Sequence, residues 1–352
     1  MLIFCVNANS SNVSSQIETK KPNAPKIHGY LQTGYNYGSE NGDNRSSFRV
    51  NRFRLFIDKE INKVFDFRIQ MELFSGSVDA TSYKKKVATV MDAYFSAKLS
   101  KGVNFRVGQF YTPMGFENYD ISPATLEVTY FSDICYRMAC RNPLNANFVD
   151  YGRDQGIMLY GDLFTNEDKG FNYLSYNLAI TNGYLPTLLD DNLSKDIYAR
   201  FTFRPIKDLR VTASYSWGES KHITDEYVPM SRFILGAWYQ APSGLGLRAE
   251  YGSMKGTLGN NNIVDEKGFY ALASYKMGKF LPVIKYEMFK DNNLPKSPLN
   301  KDSALLGVTY HFNDSVKLQA NYAQYFYHKD VYSSGAKEGS GNGINLVFLV
   351  KF

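Results

Sequence analysis

The chain contains only three Cys and four His, and it has no long apolar run among its 352 residues. A helix that spans a membrane needs about 20 consecutive apolar residues, and no segment approaches that length. The histidines are scattered, and no His, Cys and carboxylate residues recur at the spacing of a metal site. The sequence therefore predicts no membrane-spanning helix, no metal site and no cofactor.

The charge balance excludes one further class of partner. The 40 Lys and Arg against 34 Asp and Glu give a net charge of +6. These basic residues are spread over the chain, without the basic face or the base-stacking motif that nucleic-acid binding needs. No linker or change of composition divides the sequence, although its length would allow two soluble domains. We therefore expect one domain that binds no nucleic acid.

In place of long apolar runs the chain has segments in which apolar and polar residues strictly alternate. Between Phe65 and Leu73 every second residue is apolar, and the residues between them are Asp66, Arg68, Gln70 and Glu72. A period of two predicts a β-strand with one wholly apolar face. Unpaired charges inside a sandwich core would be costly, so the apolar face is expected to contact lipid and the polar face water. A soluble β-sandwich or propeller is the alternative.

Sixteen segments show this alternation, and the connections between them are short and long in turn. This order is typical of an antiparallel up-and-down β-barrel in an outer membrane, with tight periplasmic turns and longer outer loops. The 27 Tyr and 25 Phe, many near strand ends, fit the aromatic girdles of such barrels. We predict an all-β transmembrane barrel of 16 strands, surrounded by the outer-membrane lipid of a Gram-negative bacterium. The predicted strands are 27–37, 47–58, 64–74, 87–99, 103–111, 154–163, 172–180, 196–204, 209–218, 231–240, 245–254, 267–277, 280–290, 303–312, 316–327 and 343–352.

The two ends of the chain differ from the predicted barrel, residues 27–352. Residues 1–8 are similar to the end of a signal peptide, although they lack a basic start and a full apolar stretch. Residues 9–26 are mostly polar and are expected to form a flexible periplasmic segment. The chain ends at Phe352, after apolar residues at alternate positions, which resembles the signal read by the outer-membrane assembly machinery.

Two of the three cysteines, Cys135 and Cys140, lie five residues apart between the fifth and sixth predicted strands. In an oxidising compartment such a pair can form a local disulfide. The spacing alone leaves a disulfide and two free thiols equally open.

The longest predicted loop, residues 112–153, follows a distinctive sequence. Gly108-Gln109-Phe110-Tyr111-Thr112-Pro113-Met114-Gly115-Phe116-Glu117 leads into it. This run resembles the Gly-Gln-Phe-x-x-Pro-x-Gly-x-Glu signature of the phosphate-selective porin O and P family. The segment from Ser47 to Leu55 is similar to that family's arginine-rich second strand. The resemblance implies a homotrimeric porin, with arginines and lysines that conduct anions and a loop that folds inward to narrow the pore.

The inward phase of the predicted strands is more basic than acidic. The acidic residues in this phase are Asp66, Glu72, Asp92, Glu250 and Glu287. The basic residues are more numerous, so the lumen would favour anions; they are Arg52, Arg54, Arg68, Arg106, Arg200, Arg204, Arg248, Lys285 and Lys317. The second strand changes phase between Val50 and Phe53, and a β-bulge would account for that change.

The long loop carries the opposite balance of charge. From Thr112 to Tyr151 it holds five acids against two bases, Arg137 and Arg141. An acidic loop opposite a basic wall would produce a transverse field, which suits general diffusion of polar solutes better than phosphate selectivity. Alternatively the wall charges form structural pairs, such as Arg68 with Glu72 or Arg248 with Glu250. The candidate constriction residues are Glu117, Asp120, Asp133, Arg137 and Arg141.

Two other functional classes fit parts of the pattern. A plugged or adhesive barrel would bind partners through its long outer loops. An outer-membrane enzyme would need a nucleophile, a base and an orienting group close together, and only His311 and Ser274 suggest such a pair. The alternating pattern favours a pore for small hydrophilic solutes over both classes, and the protein is predicted not to be an enzyme.

Overall fold

A computed structural model describes residues 24–40, 43–75, 88–140, 152–183, 192–221, 227–258, 262–293, 300–328 and 339–352. The predicted signal-peptide end, 1–8, lies outside the described residues, as does most of the predicted segment 9–26. Among the candidate constriction residues, Arg141 is also outside them.

Sixteen antiparallel strands form a closed barrel, in which each strand pairs with its neighbours in the chain and the first pairs with the last. This confirms the predicted fold, and each predicted strand overlaps the corresponding observed one. The strands are β1 (Lys26–Glu40), β2 (Asp43–Glu60), β3 (Phe65–Ser75), β4 (Thr89–Lys98), β5 (Asn104–Tyr111), β6 (Arg153–Asn166), β7 (Phe171–Thr181), β8 (Asp196–Ile206), β9 (Leu209–Lys221), β10 (Tyr227–Gln240), β11 (Leu245–Leu258), β12 (Asn262–Tyr275), β13 (Phe280–Asp291), β14 (Lys301–His311), β15 (Val316–Tyr327) and β16 (Ser340–Lys351).

The two faces of the barrel wall have the polarity that the alternation predicted. On β3, Ile69 is 36% exposed on the outer face, whereas the next residue, Gln70, is 2% exposed on the inner face. Large apolar side chains are exposed on nearly every strand, while many of the buried side chains are polar or charged. A soluble sandwich or propeller would place these groups the other way round. No helix in the described part of the chain is long and apolar enough to cross a membrane.

The predicted bulge in the second strand is confirmed. Gln32 of β1 pairs with Arg52 of β2, but the next residue, Thr33, pairs with Val50. Asn51 is therefore the extra residue, and an extra residue in one strand reverses the inward and outward phase beyond it. The reversal places Val50 and Phe53 on the same outer face.

The barrel closes at its C-terminal residue. The Gly29 N–H donates to the Phe352 carbonyl oxygen over 2.9 Å, and the Phe352 N–H donates to the Gly29 carbonyl oxygen over 3.1 Å. The Phe352 ring also lies 6.3 Å from the Phe53 ring. A Cβ atom at position 29 would lie 2.4 Å from the Arg54 carbonyl oxygen of β2. Only glycine therefore fits at this point of the barrel closure.

Candidate functional site

The connection between β5 and β6 departs sharply from the wall at Gly115. Gly115 has a φ of +64°, and a Cβ atom there would lie 2.8 Å from Oε1 of Glu250 on β11. Its backbone N–H donates to Ser214 Oγ on β9 over 3.2 Å, and the Phe116 N–H donates to Glu250 Oε1 over 2.6 Å. A glycine is needed here because the backbone is left-handed and very close to the opposite wall.

Further along, residues 121–133 contact the inner face of strands on the other side of the barrel. The Thr129 N–H donates to Asn321 Oδ1 on β15 over 2.8 Å. The Asp133 N–H donates to Glu287 on β13. Gln319 Nε2 on β15 donates to the Leu126 carbonyl oxygen over 2.9 Å. Inner-face side chains thus satisfy backbone groups that an irregular segment cannot pair with itself.

The acidic side chains of this segment form ion pairs with basic residues of the wall. Arg248 donates both terminal nitrogens to Glu127, each over 2.9 Å. Lys301 Nζ lies 3.1 Å from Asp133 Oδ2, and Asp120 pairs with Arg200. Each of these three carboxylates therefore has a basic partner on the wall.

One pair has the opposite arrangement, with the base on the loop. Arg137 lies in a π-helical turn, Cys135–Ala139, and its Nε donates to Glu266 Oε1 on β12 over 3.0 Å. Both side chains are almost completely buried. Breaking a buried pair of this kind by removing one partner costs about 3–5 kcal/mol.

Apolar side chains of the same segment pack against apolar side chains of the inner wall. The Phe116 ring lies 5.5 Å from the Trp238 ring of β10 in an edge-to-face arrangement, and full burial of such a side chain contributes about 1.5–3 kcal/mol. One buried cluster joins the two groups; its loop members include Met114, Phe116, Ile121, Leu126, Val128, Ile134 and Met138, and its wall members include Tyr198, Met230, Ile234, Trp238, Met254, Tyr270 and Phe289.

The nine basic residues predicted to line the pore fall into two groups. Five of them are at most 5% exposed: Arg54, Arg200, Arg248, Lys285 and Lys317. Four are partly exposed on the inner face of β2, β3, β5 and β8, and these are Arg52, Arg68, Arg106 and Arg204. The buried group is held by carboxylates or loop carbonyls, as in the bond from Lys317 Nζ to the Leu126 carbonyl oxygen over 3.2 Å.

The two structural ion pairs suggested from the sequence are wrong. Arg68 pairs with Asp58 of β2 over 2.6 Å, and Glu72 pairs with Arg54 over 2.8 Å. Glu250 accepts hydrogen bonds from Phe116 N–H and from the Tyr270 hydroxyl. Arg68 and Glu72 lie about 13 Å apart along β3, and Arg248 is directed to Glu127 of the loop instead of Glu250. A pair along one strand does occur elsewhere, since Lys285 Nζ lies 3.0 Å from Glu287 Oε2 on β13.

Sequence reasoning missed other inner-face arginines. Arg210 on β9 lies on the polar face that the alternation already marked, and its guanidinium carbon lies 3.8 Å from the Trp238 ring centre. Arg153 begins β6 and pairs with Asp92 of β4 over 2.7 Å. The alternation could have identified Arg210, but no sequence signal identifies the partner of Arg153.

His311 and Ser274, the pair suggested for an enzyme, are not brought together. Ser274 lies on β12 and His311 on β14, with β13 between them. Within the described ranges, no three His, Cys, Asp or Glu residues are grouped so that they could hold a metal ion.

Cys135 and Cys140 are free thiols in the structure, 3% and 6% exposed. Burial raises the pKa of the Cys135 thiol, and the hydrogen bond with Cys140 raises it further. The thiolate is the reactive form. We expect neither cysteine to react with a membrane-impermeant maleimide in the folded protein, and both to react after denaturation. Peptide mass spectrometry measures the labelling of each cysteine separately. Rapid labelling of Cys135 or Cys140 in the folded protein would contradict their burial.

Solved structures of outer-membrane proteins share this fold at low sequence identity. The anion-selective porin from Comamonas acidovorans is 15% identical, with a TM-score of 0.68 over 94% of this chain and 99% of that chain. OmpF of Salmonella typhi, solved with daunomycin, is 15% identical, with a TM-score of 0.69 over 94% and 98%. The trimer form of OmpT, an outer membrane protein of Vibrio cholerae, is 15% identical, with a TM-score of 0.56 over 94% and 100%.

No curated protein is a significant sequence match to the chain. The sequence model of the phosphate-selective porin O and P family, in contrast, matches residues 26–352. That range includes the whole barrel, from β1 to the terminal Phe352. The match confirms the resemblance carried by the Gly108–Glu117 run, and the chain belongs to the phosphate-selective porin O and P family.

Proposed function

We propose that this outer-membrane porin passes small hydrophilic solutes along the β2–β9 side of its lumen, with a preference for anions, in a Gram-negative bacterium. The observation that carries the proposal is the distribution of partly exposed charge on that side. Arg68 is paired with Asp58, whereas Arg52, Arg106 and Arg204 have no carboxylate partner among the described residues. Positive charge on a confined wall favours anions because the field is focused there.

We propose further that residues 112–153 act as a constriction loop inside the barrel. Three kinds of contact support this: backbone hydrogen bonds to wall side chains, ion pairs with the wall, and the shared apolar cluster. Most described contacts of the loop are with β8–β16 and β1. The open side is therefore the β2–β7 wall together with the ends of β8 and β9 at their short turn, where Arg204 and Arg210 lie. In this proposal the narrow passage lies between Asp120 and that wall.

Conductance separates a pore from the alternative of a plugged or adhesive barrel, and from an enzyme that conducts nothing. Purified protein added to a planar lipid bilayer in KCl should give discrete current steps. Protein that inserts, shown by its heat-dependent mobility on a gel, but carries no current would contradict the porin proposal and favour a plugged barrel.

We propose a homotrimer as the working assembly. The Vibrio cholerae neighbour was solved in a trimer form, and the fold of the two barrels is shared. Chemical cross-linking of unheated, detergent-solubilised protein should give a trimer band. A single monomer band under conditions that cross-link a known trimeric porin would contradict this assembly.

We propose that Phe352 and the outer-face residues before it are the signal for the outer-membrane assembly machinery. Deleting Phe352 removes both hydrogen bonds to Gly29 and the contact with Phe53, so less folded barrel is expected in the outer membrane. Heat-dependent gel mobility of membrane fractions measures this. Phe326→Ala is the control, because Phe326 is an exposed aromatic residue on a different strand; equal loss in both variants would contradict a special role for Phe352.

A further inference from the structure

A cavity of about 250 Å³ opens beside the loop, between Tyr119 and Asp120 and the inner face of β5–β9. Three arginines line it: Arg200 and Arg204 of β8 and Arg210 of β9. The cavity extends from the narrow part of the proposed passage, at Asp120, toward the short turns of the barrel. It shares the Asp120–Arg200 ion pair with the contacts that hold the loop.

The arginines of this cavity have hydrogen-bonding capacity left over. Arg200 pairs with Asp120, whereas Arg204 is partly exposed and makes no hydrogen bond or ion pair with the described residues. Arg210 donates to Gln240 over 2.9 Å and stacks on Trp238. Guanidinium groups so close together repel each other, and an anion that accepts their free N–H groups relieves the repulsion.

The remaining polar groups distinguish an organic anion from bare phosphate. Asp162 of β6 also lines the cavity, and among the described side chains it accepts a hydrogen bond only from Ser175, over 2.5 Å. A carboxylate can accept about four hydrogen bonds and donates none when ionised. It repels a phosphate ion, but it can accept hydrogen bonds from the hydroxyls of a ligand whose charged group lies against the arginines.

Tyrosine rings and small polar groups complete the lining. Tyr119 of the loop and Tyr160 of β6 present aromatic surface, while Asn177 and Thr202 add an amide and a hydroxyl. Tyr160 is held in place on one side by Arg106, whose guanidinium carbon lies 5.2 Å from its ring centre. A lining of aromatic rings with hydrogen-bond donors and acceptors suits a hydroxylated carbon skeleton. Such a molecule is apolar on some faces and polar at its edges.

We propose that this cavity binds a small polyhydroxylated anion, such as a sugar acid or a sugar phosphate, as a solute-specific site inside the pore. The inference deepens the proposed function and rests on it, since the solute reaches the cavity through the passage. Arg204 and Arg210 hold the carboxylate or phosphate of the solute, and Asp162 accepts hydrogen bonds from its hydroxyls.

Isothermal titration calorimetry of the folded, detergent-solubilised protein tests the site with glucuronate and glucose 6-phosphate. Inorganic phosphate and neutral glucose are the comparison ligands. Both sugar anions should bind more tightly than either comparison ligand. Whichever sugar anion binds more tightly identifies the preferred charged group, carboxylate or phosphate. Sugar anions that bind no more tightly than inorganic phosphate would overturn the proposal.

Two variants separate the roles of the charged groups. Arg204→Ser should weaken both sugar anions about tenfold or more, because a hydrogen bond to a charged group is lost. Asp162→Asn should weaken the sugar anions while inorganic phosphate binds as well as before or better. The control Lys101→Ser removes an exposed charge paired with Glu167 outside the cavity, and it should change none of these affinities.

These outcomes separate failure of the site from failure of the pore. An equal effect of Asp162→Asn on all ligands would overturn the site, since a purely structural carboxylate would act that way. Conductance of the same preparation in KCl tests the pore independently. Anion-selective current without preferential sugar-anion binding would leave the porin proposal standing and remove only this inference.

Discussion

Deleting residues 120–148 is expected to raise the single-channel conductance severalfold and to admit larger neutral solutes. In the proposed arrangement this segment is the constriction loop, so its removal would widen the passage from the gap beside Asp120 to most of the barrel's bore. The strand pairing that closes the barrel between β1 and β16 includes no residue of this segment. Conductance steps in planar bilayers and liposome swelling with sugars of increasing size measure the two effects.

A control deletion of 330–337, in another predicted outer loop, should leave both measurements near the wild-type values. Equal conductance of the 120–148 deletion and the wild type, with normal folding, would place the constriction elsewhere. If that deletion fails to insert, Arg137→Met provides a second route: it leaves Glu266 buried and unpaired, at a cost of about 3–5 kcal/mol. The single-channel current should then fluctuate, because the loop is held less firmly against the wall. The double variant Arg137→Met with Glu266→Met leaves no buried unpaired charge and should restore a steady current.

Replacing Arg52, Arg106 and Arg204 together by serine is expected to shift selectivity strongly toward cations. These arginines are partly exposed on the proposed open wall, and none has a carboxylate partner among the described residues. Arg54, in contrast, is buried against Glu72, so its charge is already compensated. Removing uncompensated positive charge from a confined passage lowers the local anion concentration. The reversal potential under a KCl gradient measures the shift.

The matched control replaces Lys255, Lys267 and Lys290 by serine, because these three lysines are exposed on the outer face of β11–β13. The net charge of the protein changes equally in both triple variants. A reversal potential that moves as far in the control would show that the total charge, and not the wall, sets selectivity.

The features that the sequence predicted correctly are those encoded locally. Alternation identifies each strand and its lipid face from neighbouring residues, and the change of phase at Asn51 identifies the bulge in the same way.

The partners could not be predicted, because they depend on register and on the path of the loop. Arg248 and Glu127 are 121 residues apart in the chain, and Arg137 and Glu266 are 129 apart. A two-residue shift of the loop along the wall would exchange these partners without changing any local pattern. The same reasoning explains why buried and open arginines could not be separated: all of them occupy the inward phase.

The reversal potential of the wild-type protein in asymmetric KCl tests the central claim most directly. A wall with uncompensated arginines and a loop whose described acids are paired should make chloride more permeant than potassium. The predicted sign is therefore that of an anion-selective pore, and selectivity should weaken as salt screens the wall. A potential of the opposite sign at low salt would contradict the account.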